Sequence, residues 1–92
     1  MIIYLKKFGE ILVSHPAGHE AFLAMSAYLT KDLKQDEEIT IDFAGVKVLA
    51  PSWADEVITK LAKEHKVKFA NAENKTVVET LKILTEYSGL KI

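Results

Sequence analysis

The segment from Glu38 to Glu56 reads Glu-Ile-Thr-Ile-Asp-Phe-Ala-Gly-Val-Lys-Val-Leu-Ala-Pro-Ser-Trp-Ala-Asp-Glu, and it sets the fold class. Its first part, Glu38–Phe43, alternates polar and apolar residues, the period of a half-buried β-strand. The apolar run continues past Gly45 and closes at Pro51. Ser52 then stands where a helix N-cap is expected, and acids in the next turn suit the positive end of a helix dipole. The segment therefore predicts a strand, a bend and a helix.

The residues before this segment predict a strand pair followed by a helix. Two short β-rich runs, Ile2–Lys6 and Glu10–Val13, are joined through Gly9, which favours a hairpin or a bent strand pair. Pro16 is suited to a first helical turn, where no backbone N–H is required. Apolar residues then recur at helical spacing, which predicts a helix over Ala17–Lys34.

The residues after the segment predict one more strand and one more helix. Val67–Ala70 is a short β-rich run. Thr76–Glu79 has the form of a capping box, and Ser88 with Gly89 marks the end of the helix that it opens. Leu90–Ile92 is a candidate for a last short strand.

The predicted order is therefore ββ-α-β-α-β-α in a single domain over residues 1–92. Strands alternating with helices indicate an α/β fold with a mixed, partly parallel sheet of four or five strands and three helices. The helices should lie mainly on one face, because each has one apolar stripe, and Glu38–Phe43 should be the central strand. We expect five side chains to be nearly inaccessible: Ile41, Phe43, Val57, Leu61 and Leu81.

The composition narrows the function classes. The 92 residues carry 12 basic and 13 acidic side chains, and this balance provides no concentrated basic face for nucleic acid or an anionic membrane. Without cysteine there is no disulfide, thiolate catalyst or cysteine-ligated metal site. The first residues do not have the order of a signal peptide, and no apolar run reaches the ~20 residues of a membrane span. We expect a cytoplasmic location.

Two stretches resemble a known family. Ile41–Val46 followed by Ala50–Glu56 is similar to the STAS-like domain family of unknown function, within the broader STAS fold of sulfate transporters and anti-sigma factor antagonists. The tail Leu84–Leu90 also resembles the antagonists, in which a helix ends in Ser-Gly-Leu. The resemblance implies a STAS-like fold and a regulatory role through protein–protein interaction. It also places Ser52 at the position of the antagonists' regulatory phosphoserine.

The resemblance implies a docking corner made of Pro51, Ser52, Trp53, Asp55 and Glu56. The partner it implies is a protein, such as an ATPase-type kinase or an anti-sigma-like factor. Trp53 has two interpretations that the sequence leaves open: half-buried packing, or an exposed anchor of the kind enriched at interface hot spots. Asp55 and Glu56 should disfavour a phosphate on Ser52 by charge repulsion.

Other residue types give no sign of an enzyme, a metal or a cofactor. His15 and His19 are four residues apart, but Pro16 and Gly18 between them argue against a shared helical face and hence against a metal site. Asp42, Asp55 and Glu56 are better explained by structure than by acid–base catalysis, and the glycines form no phosphate-binding loop.

Three functions remain open at this point. The first is a docking domain switched at Ser52, and the second is a docking or self-association domain without a switch. The third is a small-molecule or anion binder at the N-terminus of the second helix, which is disfavoured because every basic residue is lysine rather than arginine.

Overall fold

A computed structural model describes residues 1–34 and 36–90 of the chain. In these residues five strands and three helices follow one another as β1 (Ile2–Tyr4), β2 (Ile11–Leu12), α1 (His15–Tyr28), β3 (Glu38–Asp42), β4 (Val48–Leu49), α2 (residues 51–64), β5 (Lys66–Ala70) and α3 (Lys75–Tyr87). The predicted α/β class, the three helices and the upper strand count are confirmed. The predicted order is wrong in one place, because β4 is a strand separate from β3.

The strands form two small parallel sheets instead of one mixed sheet. One has the order β1-β3-β5 and the other pairs β2 with β4. The predicted hairpin is wrong, because a 3-10 turn over Leu5–Phe8 and Gly9, at a φ of 131°, carry the chain away from β1. Each N-terminal strand then pairs with a later strand of the chain. The predicted central position of the strand that begins at Glu38 is confirmed.

One face of the three-stranded sheet is buried. Ile39 and Ile41 of β3 are inaccessible, and Ile3 of β1, aligned with Ile41, is also buried. On the other face Ile2 and Tyr4 are about half exposed, at 53% and 47%. The buried face joins a core that includes side chains from all three helices, and the core contains the five residues predicted from sequence: Ile41, Phe43, Val57, Leu61 and Leu81.

The first helix lies earlier in the chain than the sequence pattern predicts. It begins at His15, with the Ser14 hydroxyl accepting a hydrogen bond from the backbone N–H of Ala17 at 3.3 Å. It ends at Tyr28 and not at Lys34, because the backbone N–H groups of residues 29 and 30 both donate to the carbonyl of Met25, at 2.8 Å each. The bond from residue 30 back to Met25 is the six-to-one contact with which many helices end.

The third helix begins with a different cap from the one predicted. Asn74, not Thr76, is the N-cap, and its side-chain oxygen accepts from the backbone N–H groups of Thr76 and Val77. The predicted end is confirmed, since α3 stops at Tyr87 and Gly89 has a φ of 71°. Of the predicted last strand, Leu90 is buried outside any strand, and residues 91 and 92 lie outside the described residues.

A membrane-spanning helix is not found among the described residues, where none combines the necessary length with the necessary hydropathy.

Candidate functional site

The predicted docking corner lies where β4 passes into α2. The backbone N–H of Ala50 donates to the carbonyl of Leu12 at 2.9 Å, which fixes the last residue before the helix. Pro51 is the first helical residue, and its ring supplies a φ suited to that position. Ser52 is the second helical residue and not the N-cap, so the predicted capping role is wrong. The N-cap is Ala50, whose methyl side chain cannot accept a hydrogen bond.

Ser52 is therefore free of a capping function. Its residue is partly exposed, and Pro51 beside it is exposed. The N–H groups of a helix's first turn have no partner within the helix, and no side chain caps this turn. Ser52 thus stands at an uncapped helix start that solvent reaches.

Trp53 lies in the core, with 2% of its surface exposed. Helix α1 crosses directly over it at Gly18. A Cβ at that glycine would lie 2.7 Å from the Trp53 carbonyl oxygen and 3.0 Å from its Cα. Of the two interpretations of Trp53, packing is the one that the structure shows, and its burial is more complete than the half-buried position expected. A partner could reach the indole only if the residues packed around it moved.

Glu56 is the centre of an ionic cluster that joins α1 to α2. Its Oε1 lies 2.7 Å from Nδ1 of His15, and its Oε2 lies 2.6 Å from Nζ of Lys60 and 3.7 Å from Nδ1 of His19. Both histidines belong to α1 and face this carboxylate, so the predicted absence of a shared helical face is wrong. Pro16 is accommodated in the first turn and Gly18 at the helix crossing, and neither breaks the helix.

The cluster was not predicted from the sequence, although one signal was available. Histidines four residues apart lie on one side of a helix once the segment is helical. Despite their closeness, no group of three metal-ligating side chains among residues 1–34 and 36–90 has an arrangement suited to a metal ion. The carboxylate instead lies between its basic neighbours as a bridge.

The partners of Glu56 favour its charged form. The hydrogen bond from Lys60 lowers the pKa of Glu56 below its ordinary value, burial opposes this, and the hydrogen bond to His15 lowers the pKa further. Glu56 is therefore an engaged anion and not a free acid of the helix start. Only Asp55, which is partly exposed, remains as an acid next to Ser52 with no ion pair among the described residues.

Asp42 has a structural role at the end of β3. Its Oδ1 accepts from the side-chain amide of Asn71 at 3.0 Å and from the backbone N–H of Ala44 at 2.8 Å. The hydrogen bond from Asn71 lowers the pKa of Asp42 most, and the hydrogen bond from Ala44 lowers it further. Asp42 and Glu56 thus serve different contacts and do not act as a pair.

The docking corner lies within a segment that matches a known protein family. A family described as a STAS-like domain of unknown function matches residues 27–80, more than half of the chain, and the match includes β3, β4, α2 and β5. The chain belongs to this STAS-like family. No curated protein and no solved structure matches it. The Pro51–Glu56 corner lies wholly inside the segment that defines the STAS-like domain.

Proposed function

We propose that this STAS-like domain is a regulatory module that docks to a protein partner through the Pro51–Glu56 corner, and that phosphorylation of Ser52 switches the docking. The partner class is an ATPase-type kinase, which would transfer the γ-phosphoryl group of ATP to the Ser52 hydroxyl oxygen, with ADP leaving and the hydroxyl proton lost. The observation that carries the proposal is the place of Ser52: partly exposed, at an uncapped helix start, within the family-matching segment.

The physical chemistry of the helix start supports a phosphate there. Backbone N–H groups without partners and the positive end of the helix dipole both favour an anion. Glu56 was expected to repel a dianion, but its carboxylate is paired with the ammonium group of Lys60 at 2.6 Å, which reduces that repulsion. Only Asp55 opposes a phosphate on Ser52, which makes the switch more favourable than the sequence alone indicated.

The buried Trp53 changes how the docking surface is composed. The surface that a partner can reach consists of Pro51, Ser52 and Asp55, and Trp53 is buried in the core. A phosphate on Ser52 would place a negative charge in the middle of this small contact surface, where the partner has to approach. Docking should therefore be lost on phosphorylation.

The test compares Ser52→Asp, Ser52→Ala and wild type in partner capture from the native host, with thermal melts run in parallel. The proposal expects Ser52→Ala to retain the partner and Ser52→Asp to lose it while remaining folded. Ser26→Asp, a partly buried serine on α1 outside the corner, is the matched control for an added charge and should retain the partner.

Intact mass spectrometry of the protein from its native host supplies the second measurement. The proposal expects a single phosphoryl adduct on the intact protein, which fragmentation of the peptide containing Ser52 should place on that residue. Equal capture by wild type and Ser52→Asp, with no adduct, would leave a docking domain without a switch.

A further inference from the structure

A groove of about 560 Å³ lies at the opposite end of α2 from the docking corner. Its walls are the last turns of α2, the beginning of β5 and the residues that follow α3, with Thr59, His65 and Leu90 among the lining side chains. This site does not depend on the proposed function of the corner.

Two buried polar atoms in residues that line the groove have no hydrogen-bond partner among residues 1–34 and 36–90. They are Oγ1 of Thr59 and Nδ1 of His65. Thr59 is only 6% exposed and both atoms have almost no accessible surface, so a partner in the groove reaches them only when neighbouring side chains shift. Buried polar groups are nearly always paired with protein or ordered water, and an unpaired one costs folding free energy, so these two atoms mark a place where a partner is expected.

The local backbone is also unusual at this point. Thr59 is the last residue of a π-helical turn, Asp55–Thr59, inside an otherwise α-helical segment. Such turns are rare and occur frequently at functional sites. A helical threonine ordinarily places its hydroxyl on the carbonyl one turn earlier, as Thr85 does with Leu81 at 2.9 Å. Thr59 makes no such bond, and its hydroxyl remains available as a donor.

The charge at the groove is positive in a chain whose net charge is −1. Among residues 1–34 and 36–90, the groove is lined by Lys63, Lys66 and Lys68 and by one carboxylate, Glu38, which lies 3.4 Å from Nζ of Lys68. Lys63 also suits the C-terminal end of the α2 dipole, which gives it a structural reason to be there. That reason does not extend to Lys66, which belongs to β5 and makes no ion pair within the described residues.

We propose that this groove binds a small organic anion that has an apolar body and one terminal carboxylate or phosphate group. The lysine ammonium groups would attract the charged end, and the Thr59 hydroxyl and the His65 ring, in the tautomer with its proton on Nδ1, would donate to it and so gain a partner that they lack among the described residues. The side chains of Ala62, Val67 and Leu90 line the rest of the groove and fit an apolar body.

Binding is tested with three probes of one chain length: hexanoate, hexyl phosphate and neutral hexanamide. Calorimetric titration should show saturable binding of at least one anion and none of the amide. Amide chemical shifts should then change at Thr59, His65 and Lys66. Lys66→Gln should weaken binding of the anion about tenfold, the loss expected for one charge-assisted hydrogen bond. Lys82→Gln makes the same charge change on an exposed part of α3 outside the groove and should leave binding unchanged.

Thr59→Val separates a binding site from a packing defect. Valine retains the shape of threonine and removes the unpaired hydroxyl, so the variant should fold at least as stably as wild type and still bind the anion more weakly. Failure of wild type to bind either anion at millimolar concentration would overturn the proposal. It would equally be overturned by binding that Thr59→Val and Lys66→Gln retain in full.

Discussion

Gly18 shows how a single residue sets the distance between two helices. A side chain there would meet backbone and not a movable side chain, with a Cβ 2.7 Å from the carbonyl oxygen of Trp53. Overpacking of this kind costs about 1–3 kcal/mol, and alanine returns at most about 1 kcal/mol through its helix propensity. We expect Gly18→Ala to lower the free energy of unfolding by about 1–2 kcal/mol in urea melts. Gly89→Ala, with nothing within 4 Å, should report only the cost of its positive φ, about 1 kcal/mol. A Gly18→Ala melt identical to wild type would contradict the close crossing.

Glu56, also a single residue, makes the unfolding free energy of the fold depend on pH. Its pKa is lower in the folded protein than the ordinary value of 4.5, so the ionised carboxylate stabilises the fold above that pH. The contribution is lost as the pH falls through the folded pKa. The difference in unfolding free energy between wild type and Glu56→Gln should therefore be full above pH 4.5 and diminish as the pH falls below that value. Glu79→Gln alters an exposed glutamate with no ion pair among the described residues, and its difference should not follow that course. If the difference in unfolding free energy between wild type and Glu56→Gln stays constant over this range, the charge of Glu56 does not stabilise the fold.

At the scale of elements, Asn74 joins the start of α3 to the loop before β4. Its Oδ1 accepts from the backbone N–H of Thr76 at 2.8 Å, and its Nδ2 donates to the carbonyl of Lys47 at 3.0 Å. Loss of an N-cap of this type costs about 1–2 kcal/mol, so Asn74→Ala should be destabilised by at least that amount in urea melts. Asn74→Asp retains the capping oxygen and loses only the donated bonds, so it should lie between Asn74→Ala and wild type. A change within about 0.5 kcal/mol for Asn74→Ala would show that the cap does not matter.

The helix starts also show what local sequence can and cannot predict. Thr76 and Ser52 have the residue types of caps, and each is the second residue of its helix instead. Asn74 caps α3 although Thr76 has the capping-box spacing, and asparagine ranks at or above threonine as an N-cap, so this signal was present in the sequence. At α2 the backbone N–H of Ala50 is held by Leu12 of β2, which fixes where the helix begins. That long-range hydrogen bond outweighed the local preference of Ser52 for the cap position, and a single sequence does not contain that information.

At the scale of the whole molecule, the spacing of apolar residues in the sequence predicted the features of the fold that depend on burial. The central strand, the apolar faces of α2 and α3 and the five core residues follow directly from spacing, because one buried face imposes its period on the chain. Strand pairing was not predictable in this way, since β1 and β2 pair with partners more than 30 residues later and not with each other. The ionic cluster failed to be predicted for the same reason, because it joins residues 41 positions apart.

The position of Trp53 in the middle of this core provides a test of the molecule as a unit. It is the only tryptophan and is 2% exposed, so its fluorescence reports the contact between α1 and α2, while far-UV circular dichroism reports all the helices. A domain of this size should unfold in one cooperative step, so the two signals should change at the same urea concentration. Leu61→Ala, which removes a core side chain, should move both midpoints together by the equivalent of about 2–5 kcal/mol. A fluorescence change in wild type at a lower urea concentration than the loss of helix would contradict a single cooperative transition. It would show that the packing around Trp53 opens before the helices are lost, and a partner that used Trp53 as an anchor would need such an opening.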